Sequence, residues 1–190
     1  LELGGKSPNI VLDDADVEAA IAGSAQGIFF NQGEVCTAAS RLYIHEKLFD
    51  QVVDGVSRAA ESIKVGYGLH ADTEMGPLVS AEQFDRVTSY LKVGVEEGSR
   101  AVTGGSAIDG PGYFVQPTVI VDATADHRII KEEIFGPVVA AMPFADVDDL
   151  AGQANDSVYG LAAGVWTRDL SKAHKLAKRI KAGTVHVNTY

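Results

Sequence analysis

Residues 9–28 read NIVLDDADVEAAIAGSAQGI, and this stretch contains the repeating unit from which the fold can be predicted. Residues 9–12 form a short apolar run of the kind that becomes a β-strand. Asp13, Asp14 and Asp16 follow, and they place negative charge where the positive end of a helix dipole favours it. Small and apolar residues spaced three and four apart then predict a helix whose inward face is Val17, Ala20, Ile21, Ser24 and Ile28.

The same alternation of strands and helices continues along the chain. Further strands are predicted at residues 41–45, 101–103, 119–121, 138–142, 162–166 and 184–187, and further helices at residues 48–63, 80–97, 146–155 and 170–181. In the helix after residue 80, Ser80 and Gln83 have capping-box spacing, and the residues predicted to face inward are Phe84, Val87, Leu91 and Val95. Alternating strands and helices favour a mostly parallel sheet covered on both faces. We therefore predict a three-layer α/β/α sandwich.

The composition is that of an ordinary globular chain, and it argues against several classes of function. Apolar residues make up 46% of the 190 residues and charged residues 22%, so a single domain spanning residues 1–190 can bury a complete core. The formal net charge of −10 argues against a nucleic-acid partner, because phosphate binding needs a basic face. No apolar stretch approaches the roughly 20 residues needed to cross a bilayer, so no membrane partner is expected.

The first residues and the cysteine content bear on the origin of the chain. It begins at Leu1 rather than at a methionine, and we interpret it as part of a longer protein. Its one cysteine, Cys36, cannot form an internal disulfide, and no signal peptide is recognisable, so a cytoplasmic protein is predicted. No G-x-G-x-x-G fingerprint follows a strand, and no metal site is predicted.

Cys36 is the first candidate for chemistry, although a lone cysteine is usually a small buried apolar residue. Residues 29–37, FFNQGEVCT, interrupt a helical pattern with polar residues and glycine and bring the thiol just before a strand. A thiol on such a turn can be reached by a substrate, and a nearby backbone amide can receive an oxyanion. None of the five histidines lies close to Cys36 in the sequence, so a papain-like cysteine–histidine pair is an unsupported alternative.

Two glutamates and a phenylalanine are further candidates, each with a plainer interpretation. Glu2 precedes two adjacent glycines that allow the chain to bend sharply, but a glutamate in such a position is usually a solvated charge. Glu133 and Phe135 belong to EEIFGP at residues 132–137, where the glycine–proline pair makes a stiff loop able to hold both side chains against a ligand. The alternative is a charged loop tip anchored by a buried phenylalanine.

Four segments taken together resemble the aldehyde dehydrogenase superfamily, and in particular its catalytic, cysteine-bearing domain. They are LELGGKSP at residues 1–8, NQGEVC at 31–36, EEIFGP at 132–137 and GTVHVN at 183–188. Each segment alone is a weak signal, but four in this order and spacing are highly specific, and similar linking stretches extend the resemblance over the whole chain. The resemblance implies the fold of that domain and the oxidation of an aldehyde to a carboxylic acid with NAD(P).

The resemblance assigns the chemistry to two residues. Cys36 would attack the aldehyde as a thiolate and form a thiohemiacetal, whose oxyanion meets the Cys36 backbone N–H and an asparagine side chain from the cofactor domain. Hydride transfer to the nicotinamide then leaves a thioester. Glu2 would act as the general base for the water that hydrolyses this thioester.

The same resemblance implies the binding residues. Glu133 would hydrogen-bond the ribose next to the nicotinamide, Phe135 would pack near the nicotinamide ring, and Leu3 and Gly4 would belong to the same cofactor-binding set. Phe30 corresponds to a position that lines the aldehyde tunnel. The cofactor is NAD or NADP, bound mainly by a domain that this chain does not contain, and the full-length protein is expected to be a homodimer or homotetramer.

Two positions depart from the family pattern, and two alternatives to the enzyme hypothesis stay open. His186 stands where many relatives carry tryptophan, and Glu34 replaces a common glutamine; a carboxylate close to the Cys36 thiol would raise the pKa of that thiol. The first alternative is a chain that folds but lacks dehydrogenase activity and acts at most as a thiol esterase. The more distant one is a thiol hydrolase with a histidine base.

Overall fold

A computed structural model describes residues 3–190 and shows a seven-stranded sheet. The strands are β1 (Pro8–Val11), β2 (Arg41–His45), β3 (Arg100–Thr103), β4 (Thr118–Val121), β5 (Val138–Phe144), β6 (Ala162–Trp166) and β7 (Thr184–Val187). Their order across the sheet is β3-β4-β5-β2-β1-β6-β7, and each neighbouring pair is parallel except β3 with β4. The predicted strands are confirmed, with small differences at their ends.

The α-helices of residues 3–190 are α1 (Val17–Phe29), α2 (Phe49–Ser62), α3 (Ala81–Glu96), α4 (Arg128–Lys131), α5 (Val147–Asn155) and α6 (Leu170–Arg179). Asp16, Ser80, Asp146 and Asp169 cap four of them by accepting a backbone N–H of the first turn. The single-turn α4 was not predicted, because one turn carries no hydrophobic period. In this described part of the chain, no helix is long and apolar enough to span a membrane.

Alternate residues of the central strands face two separate apolar cores. In β5, Val138, Ala140 and Met142 lie in one core, whereas Val139 and Ala141 lie in the other. Residues of α3, α4, α5 and α6 complete the first core, and residues of α1 and α2 complete the second. Because side chains alternate across a strand, helices must cover both faces of the sheet. The predicted three-layer α/β/α sandwich is confirmed.

One predicted inward residue of α3 is wrong. Val95 is 64% exposed, whereas Val87, Leu91 and Gly94 are buried. At 3.6 residues per turn, a residue eight positions after Val87 is rotated by about 80° around the helix axis. The end of α3 therefore turns Val95 toward solvent, and Gly94 lies against Ile129 of α4 in its place.

Arg41, in β2, is a fully buried charge that ties three elements together. Its Nε donates to the carbonyl oxygen of Lys6 at 2.8 Å, and its Nη2 donates to that of Ala154 at 2.8 Å. Its Nη1 donates to the Tyr43 hydroxyl at 3.2 Å. Burial lowers the pKa of Arg41, and Tyr43 and Asp156 oppose that shift. The carbonyls at the negative end of α5 also favour the charged guanidinium. The start of β1, β2 and the end of α5 are thus held by one guanidinium.

We expect Arg41→Met to destabilise the chain by about 3 kcal/mol, because it leaves the buried carbonyl oxygens of Lys6 and Ala154 without donors. The measurement is the free energy of unfolding in urea, followed by circular dichroism. Arg58→Met is the matched control, since the Arg58 side chain is 72% exposed and its surface ion pair contributes little. Equal stability of the two variants would contradict the role given to Arg41.

Candidate active site

The segments that the sequence singled out lie at the amino ends of three neighbouring strands. Gly5 lies just before β1, Cys36 before β2, and Glu133 and Phe135 before β5, and these strands are adjacent and parallel in the order β5-β2-β1. Residues of all three segments, among them Gly5, Val35 and Glu133, line one small cavity. Ligands of open α/β sheets usually bind at the carboxyl ends of the strands. Here the candidate residues gather at the opposite edge.

Two glycines bring the start of β1 against the other two segments. A Cβ on Gly5 would overlap the carbonyl oxygen of Cys36, and one on Gly4 would overlap the carboxylate of Glu133. The Gly5 N–H donates to Glu133 Oε1 at 2.8 Å. Gly4 also has φ +78°, a left-handed conformation that glycine adopts without steric cost. The two glycines therefore allow the start of β1 to touch both the cysteine segment (residues 31–36) and the loop of residues 132–137, here called the glutamate loop.

The chain approaches Cys36 through three consecutive left-handed residues. Asn31, Gln32 and Gly33 have φ values of 49°, 58° and 68°. For the two non-glycine residues this conformation costs on the order of 1–2 kcal/mol each. The Asn31 side chain donates to the Glu34 carbonyl at 3.1 Å, and Gly33 lies so close to the Gly136 carbonyl that a Cβ would overlap it. The helical pattern therefore ends in a strained reversal that is packed against the loop before β5.

Cys36 lies in a turn, as the sequence predicted. The turn is closed by the Ala38 N–H, which donates to the Val35 carbonyl at 2.9 Å. The Cys36 thiol is half-buried and forms no disulfide. Within residues 3–190, no group accepts a hydrogen bond from the Cys36 backbone N–H. An unpaired amide next to a thiol is the arrangement that an oxyanion requires.

Two side chains of α3 fix the glutamate loop, a role that their sequence pattern did not indicate. Gln83 Nε2 donates to the carbonyl oxygens of Ile134 and Phe135 at 3.1 and 2.6 Å, and Arg86 donates to the carbonyl of Glu133. Phe135 has φ +58°, so these bonds hold a backbone conformation that the loop alone would not favour. Both residues are polar positions of an amphipathic helix, which a hydrophobic pattern assigns to solvent.

Glu132 is held by a second group of contacts beside the loop. Arg128 donates to both of its carboxylate oxygens at 2.9 and 3.0 Å, and the Tyr90 hydroxyl donates to Oε2 at 2.6 Å. These hydrogen bonds, first that of Arg128 and then that of Tyr90, lower the pKa of Glu132 to about 2. The guanidinium groups of Arg86 and Arg128 lie 5.4 and 5.5 Å from the centre of the Tyr90 ring. The backbone of the loop is anchored immediately before Glu133.

Lys6 is a buried amine near these carboxylates. It is 2% exposed, and within residues 3–190 its Nζ has no hydrogen-bond partner. Burial lowers the pKa of Lys6 to about 7, and Arg41 adds to that effect while Glu133 and Glu132 oppose it. Burial therefore favours the uncharged form of this amine. The sequence alone singled out neither Lys6 nor Arg41.

The remaining predicted residues are exposed or lie outside the described residues. Leu3 is 79% exposed. Phe30 is 63% exposed at the end of α1 and lines an open cavity of about 510 Å³, together with Phe29 and Met75 but without Cys36. Glu2 lies outside the described residues. Within residues 3–190, no group of three His, Cys, Asp or Glu side chains is arranged to hold a metal ion.

The two departures from the family pattern have defined surroundings. The Glu34 carboxylate accepts the Val79 N–H at 3.1 Å and the Gln32 side-chain amide at 3.5 Å, and burial raises the pKa of Glu34. Glu34 therefore ties the cysteine segment to residue 79. His186, in β7, packs with its ring 5.5 Å from that of Tyr190. The effects of both residues on the thiol and on the substrate stay predictions.

The geometry defines a mostly parallel α/β protein that presents a thiol on a turn close to a carboxylate loop. Residues 1–190 match the aldehyde dehydrogenase family, and the chain belongs to that family. It is 50% identical over 190 residues to the mitochondrial aldehyde dehydrogenase of Leishmania tarentolae, and 46% identical over 192 residues to the phenylacetaldehyde dehydrogenase of Pseudomonas fluorescens. Each match covers all of this chain but 38% of the relative.

Solved structures of relatives have the same fold. The NAD⁺ complex of an aldehyde dehydrogenase from Bacillus cereus matches with a TM-score of 0.98 at 50% identity, over all of this chain and 39% of that one. The betaine aldehyde dehydrogenase of Staphylococcus aureus matches with a TM-score of 0.97 at 41% identity, over all of this chain and 38% of that one. The chain therefore spans about two fifths of the relatives it matches. The predicted superfamily and fold are confirmed.

We expect Gly33→Ala to destabilise the chain by about 3 kcal/mol or more, because the new Cβ would overlap the Gly136 carbonyl at a residue with positive φ. Urea unfolding measures the loss. Gly68→Ala is the matched control, since nothing lies within 4 Å of a Cβ at Gly68. If both substitutions change stability by the same amount, the close approach of the two segments is not the constraint described here.

We expect Glu132→Gln to remove part of the stability that the chain has at neutral pH. The folded-state pKa of about 2 lies below the ordinary value of 4.5, so the ionised carboxylate stabilises the fold above about pH 4.5. That contribution is lost as the pH falls from about 4.5 toward 2. Because Glu132 is partly exposed, solvent screening keeps the effect small.

The urea midpoint of Glu132→Gln should therefore lie below that of the unsubstituted chain at pH 7, and the gap should narrow between pH 5 and pH 3. Glu82→Gln serves as the control, because Glu82 is an exposed glutamate of α3. A gap that stays constant over this pH range would show that the Glu132 carboxylate does not stabilise the loop through its charge.

Proposed function

We propose that this chain is the nucleophile-bearing part of an enzyme that oxidises an aldehyde to a carboxylic acid with NAD or NADP. The observation that carries the proposal is the contact of three segments at one sheet edge in a member of the aldehyde dehydrogenase family. Gly5 donates its N–H to Glu133 and also abuts the carbonyl of Cys36. A thiol whose own backbone N–H has no acceptor among residues 3–190 suits covalent catalysis at a carbonyl carbon.

In the proposed reaction the Cys36 thiolate attacks the aldehyde carbon, so that a carbon–sulfur bond forms and the carbonyl oxygen becomes an oxyanion. The Cys36 N–H, together with an asparagine side chain outside these residues, would stabilise that oxyanion. The nicotinamide, when bound, supplies the hydride acceptor. Loss of hydride from the carbon leaves a thioester on Cys36. Water then cleaves the thioester to the carboxylic acid and the thiol, with Glu2 as the general base that takes a proton from the water.

The chain's own residues fit the nicotinamide ribose. Glu133 uses Oε1 to accept the Gly5 N–H, and within residues 3–190 nothing donates to Oε2, which is therefore free to accept a ribose hydroxyl. Gly4 lies against that oxygen without a side chain to cover it. Phe135 would pack near the nicotinamide ring, and Leu3 would add an apolar contact. The Bacillus cereus relative with NAD⁺ supports a nicotinamide cofactor.

We propose that the aldehyde substrate enters along a path that passes Phe30. The open cavity of about 510 Å³ beside this ring has the size of an ordinary small-molecule site, and Phe29 and Met75 give it an apolar lining. Two relatives carry phenylacetaldehyde and betaine aldehyde in their names. Aldehydes with an aromatic or a quaternary-ammonium group are therefore the first substrates to test.

The 190-residue chain by itself is proposed to fold but not to oxidise aldehydes, and to act at most as a thiol esterase. It spans 38–40% of the relatives, and the oxyanion asparagine and most of the cofactor site would lie on the rest. A histidine-assisted thiol hydrolase is not favoured, because within residues 3–190 no histidine hydrogen-bonds Cys36. We expect the complete protein to be a cytoplasmic homodimer or homotetramer, as the family resemblance and the single cysteine imply.

Cys36→Ala in the complete protein should lower aldehyde oxidation at least about a thousandfold, because no other residue would form the thioester. Calorimetry should show that NAD binding is retained, which separates loss of chemistry from loss of the fold.

In Glu2→Gln the acylated Cys36 should accumulate and be detectable by mass spectrometry. The isolated 190-residue chain should hydrolyse an activated ester through Cys36 without oxidising aldehydes. Survival of oxidation in Cys36→Ala would refute the proposed mechanism.

A further inference from the structure

The side chain of Tyr190 occupies a socket next to the Cys36 turn. A Cβ on Gly27 of α1 would lie 2.7 Å from Cδ1 of the ring, and one on Gly164 of β6 would lie 2.6 Å from Cδ2. Two glycines on different elements thus leave the space that the ring fills. The proposed reaction gives Tyr190 no part, and the ring's position requires another explanation.

The segment GTVHVN, for which the sequence suggested no chemical role, turns the chain so that Tyr190 reaches this socket. Asn188 follows β7 with φ +52°, and the backbone bends there. Its side chain is held on both sides, since Oδ1 accepts the Thr167 N–H at 3.0 Å and Nδ2 donates to the Thr167 carbonyl at 2.9 Å. The exit of β7 is therefore fixed to the end of β6, and Tyr190 follows two residues later.

The Tyr190 hydroxyl donates to the carbonyl oxygen of Thr37 at 2.6 Å. The other side of the same peptide unit is held by the Ala38 N–H, which donates to the Val35 carbonyl. The carbonyl of Cys36 itself lies against Gly5. Burial raises the pKa of Tyr190 to about 12, so the phenol keeps its proton at neutral pH and remains a donor.

We propose that Tyr190 is a positioning residue for the nucleophile: its hydroxyl fixes the Cys36 turn so that the Cys36 N–H stays aimed at the oxyanion. The inference rests on the proposed function, in which this N–H stabilises the oxyanion of the thiohemiacetal. Both carbonyls of the turn, those of Cys36 and Thr37, are held by groups from other elements. Among residues 3–190 nothing accepts a hydrogen bond from the Cys36 N–H. Its peptide unit is held through the Val35 carbonyl, which accepts the Ala38 N–H, and Tyr190 holds the carbonyl end of that same Ala38 peptide unit.

Two thiol reagents separate this role from a general loss of stability. An activated ester, p-nitrophenyl acetate, acylates Cys36 through a tetrahedral oxyanion and releases p-nitrophenolate. Iodoacetamide alkylates the same sulfur by displacing iodide, and no oxyanion forms. In the complete protein, Tyr190→Phe keeps the ring in its socket and removes only the hydroxyl. It should lower the acylation rate about tenfold, less than the loss of a whole oxyanion donor, and leave the alkylation rate within about twofold.

Tyr67→Phe is the matched control, because the Tyr67 hydroxyl also donates to a carbonyl oxygen, that of Pro111 at 3.4 Å, on an exposed part of the chain. It should change neither rate, and thermal melting should show that both variants are folded. With NAD and an aldehyde, Tyr190→Phe should lower kcat while the KM for NAD stays unchanged. A parallel fall of acylation and alkylation, or no fall in either, would overturn the positioning role.

The two proposals fail in different ways. If the unsubstituted complete protein does not oxidise aldehydes with NAD or NADP, the proposed function is wrong. The ratio of acylation to alkylation still measures what the Tyr190 hydroxyl does for the Cys36 N–H in that case, because neither reagent needs a nicotinamide. An unchanged ratio in an enzyme that does oxidise aldehydes overturns the inference about Tyr190 alone.

Discussion

This site depends on segments of backbone that touch one another directly, with no room for a side chain between them. Gly5 lies against the Cys36 carbonyl, and Gly33 lies against the Gly136 carbonyl, so the starts of β1, β2 and β5 approach as closely as their atoms allow. A methyl group at either glycine would separate the thiol from the glutamate loop. Because a protein interior is close-packed, neighbouring elements would have to move as well. The site is therefore a property of how three strand starts meet.

That close approach requires strained backbone, and the strain is held by long-range contacts. Asn31, Gln32 and Phe135 adopt left-handed conformations that side-chain-bearing residues avoid. Conformations of this kind persist only where the surroundings determine them. For Phe135 the surroundings are Gln83 and Arg86 of α3, which bind three successive carbonyls of the glutamate loop. The surface of a helix thus sets the geometry of a loop about 50 residues further along the chain.

Two basic side chains are buried near this edge of the sheet. The chain as a whole is acidic, with a formal net charge of −10, yet Lys6 and Arg41 are buried under the start of β1. Glu132 and Glu133 lie near enough to oppose the fall in the Lys6 pKa. A buried positive group such as Arg41 favours negative charge nearby, because the dielectric constant around it is low. The proposed thiolate and oxyanion carry that sign.

The elements of the fold could be predicted from local pattern, because the spacing of apolar residues records which face of a strand or helix is buried. The strands at residues 41–45, 162–166 and 184–187 were located to the residue in this way. The apolar spacing gave a wrong prediction for Val95, whose side chain faces solvent at the end of its helix.

For the site, sequence alone marked Cys36 and Glu133 as candidates and left a buried thiol and a charged loop tip as equal or better explanations. The four segments in their order supported the family, since each is a short local pattern that a sequence displays directly. Only the tertiary structure decided that β5, β2 and β1 are neighbours, and so that the cysteine and glutamate segments share one edge. It alone disclosed Tyr190, whose hydroxyl meets a carbonyl 153 residues away. The spacing of apolar residues in the sequence predicts whether a side chain faces inward. The distant group that the side chain contacts depends on how the strands are arranged in the sheet.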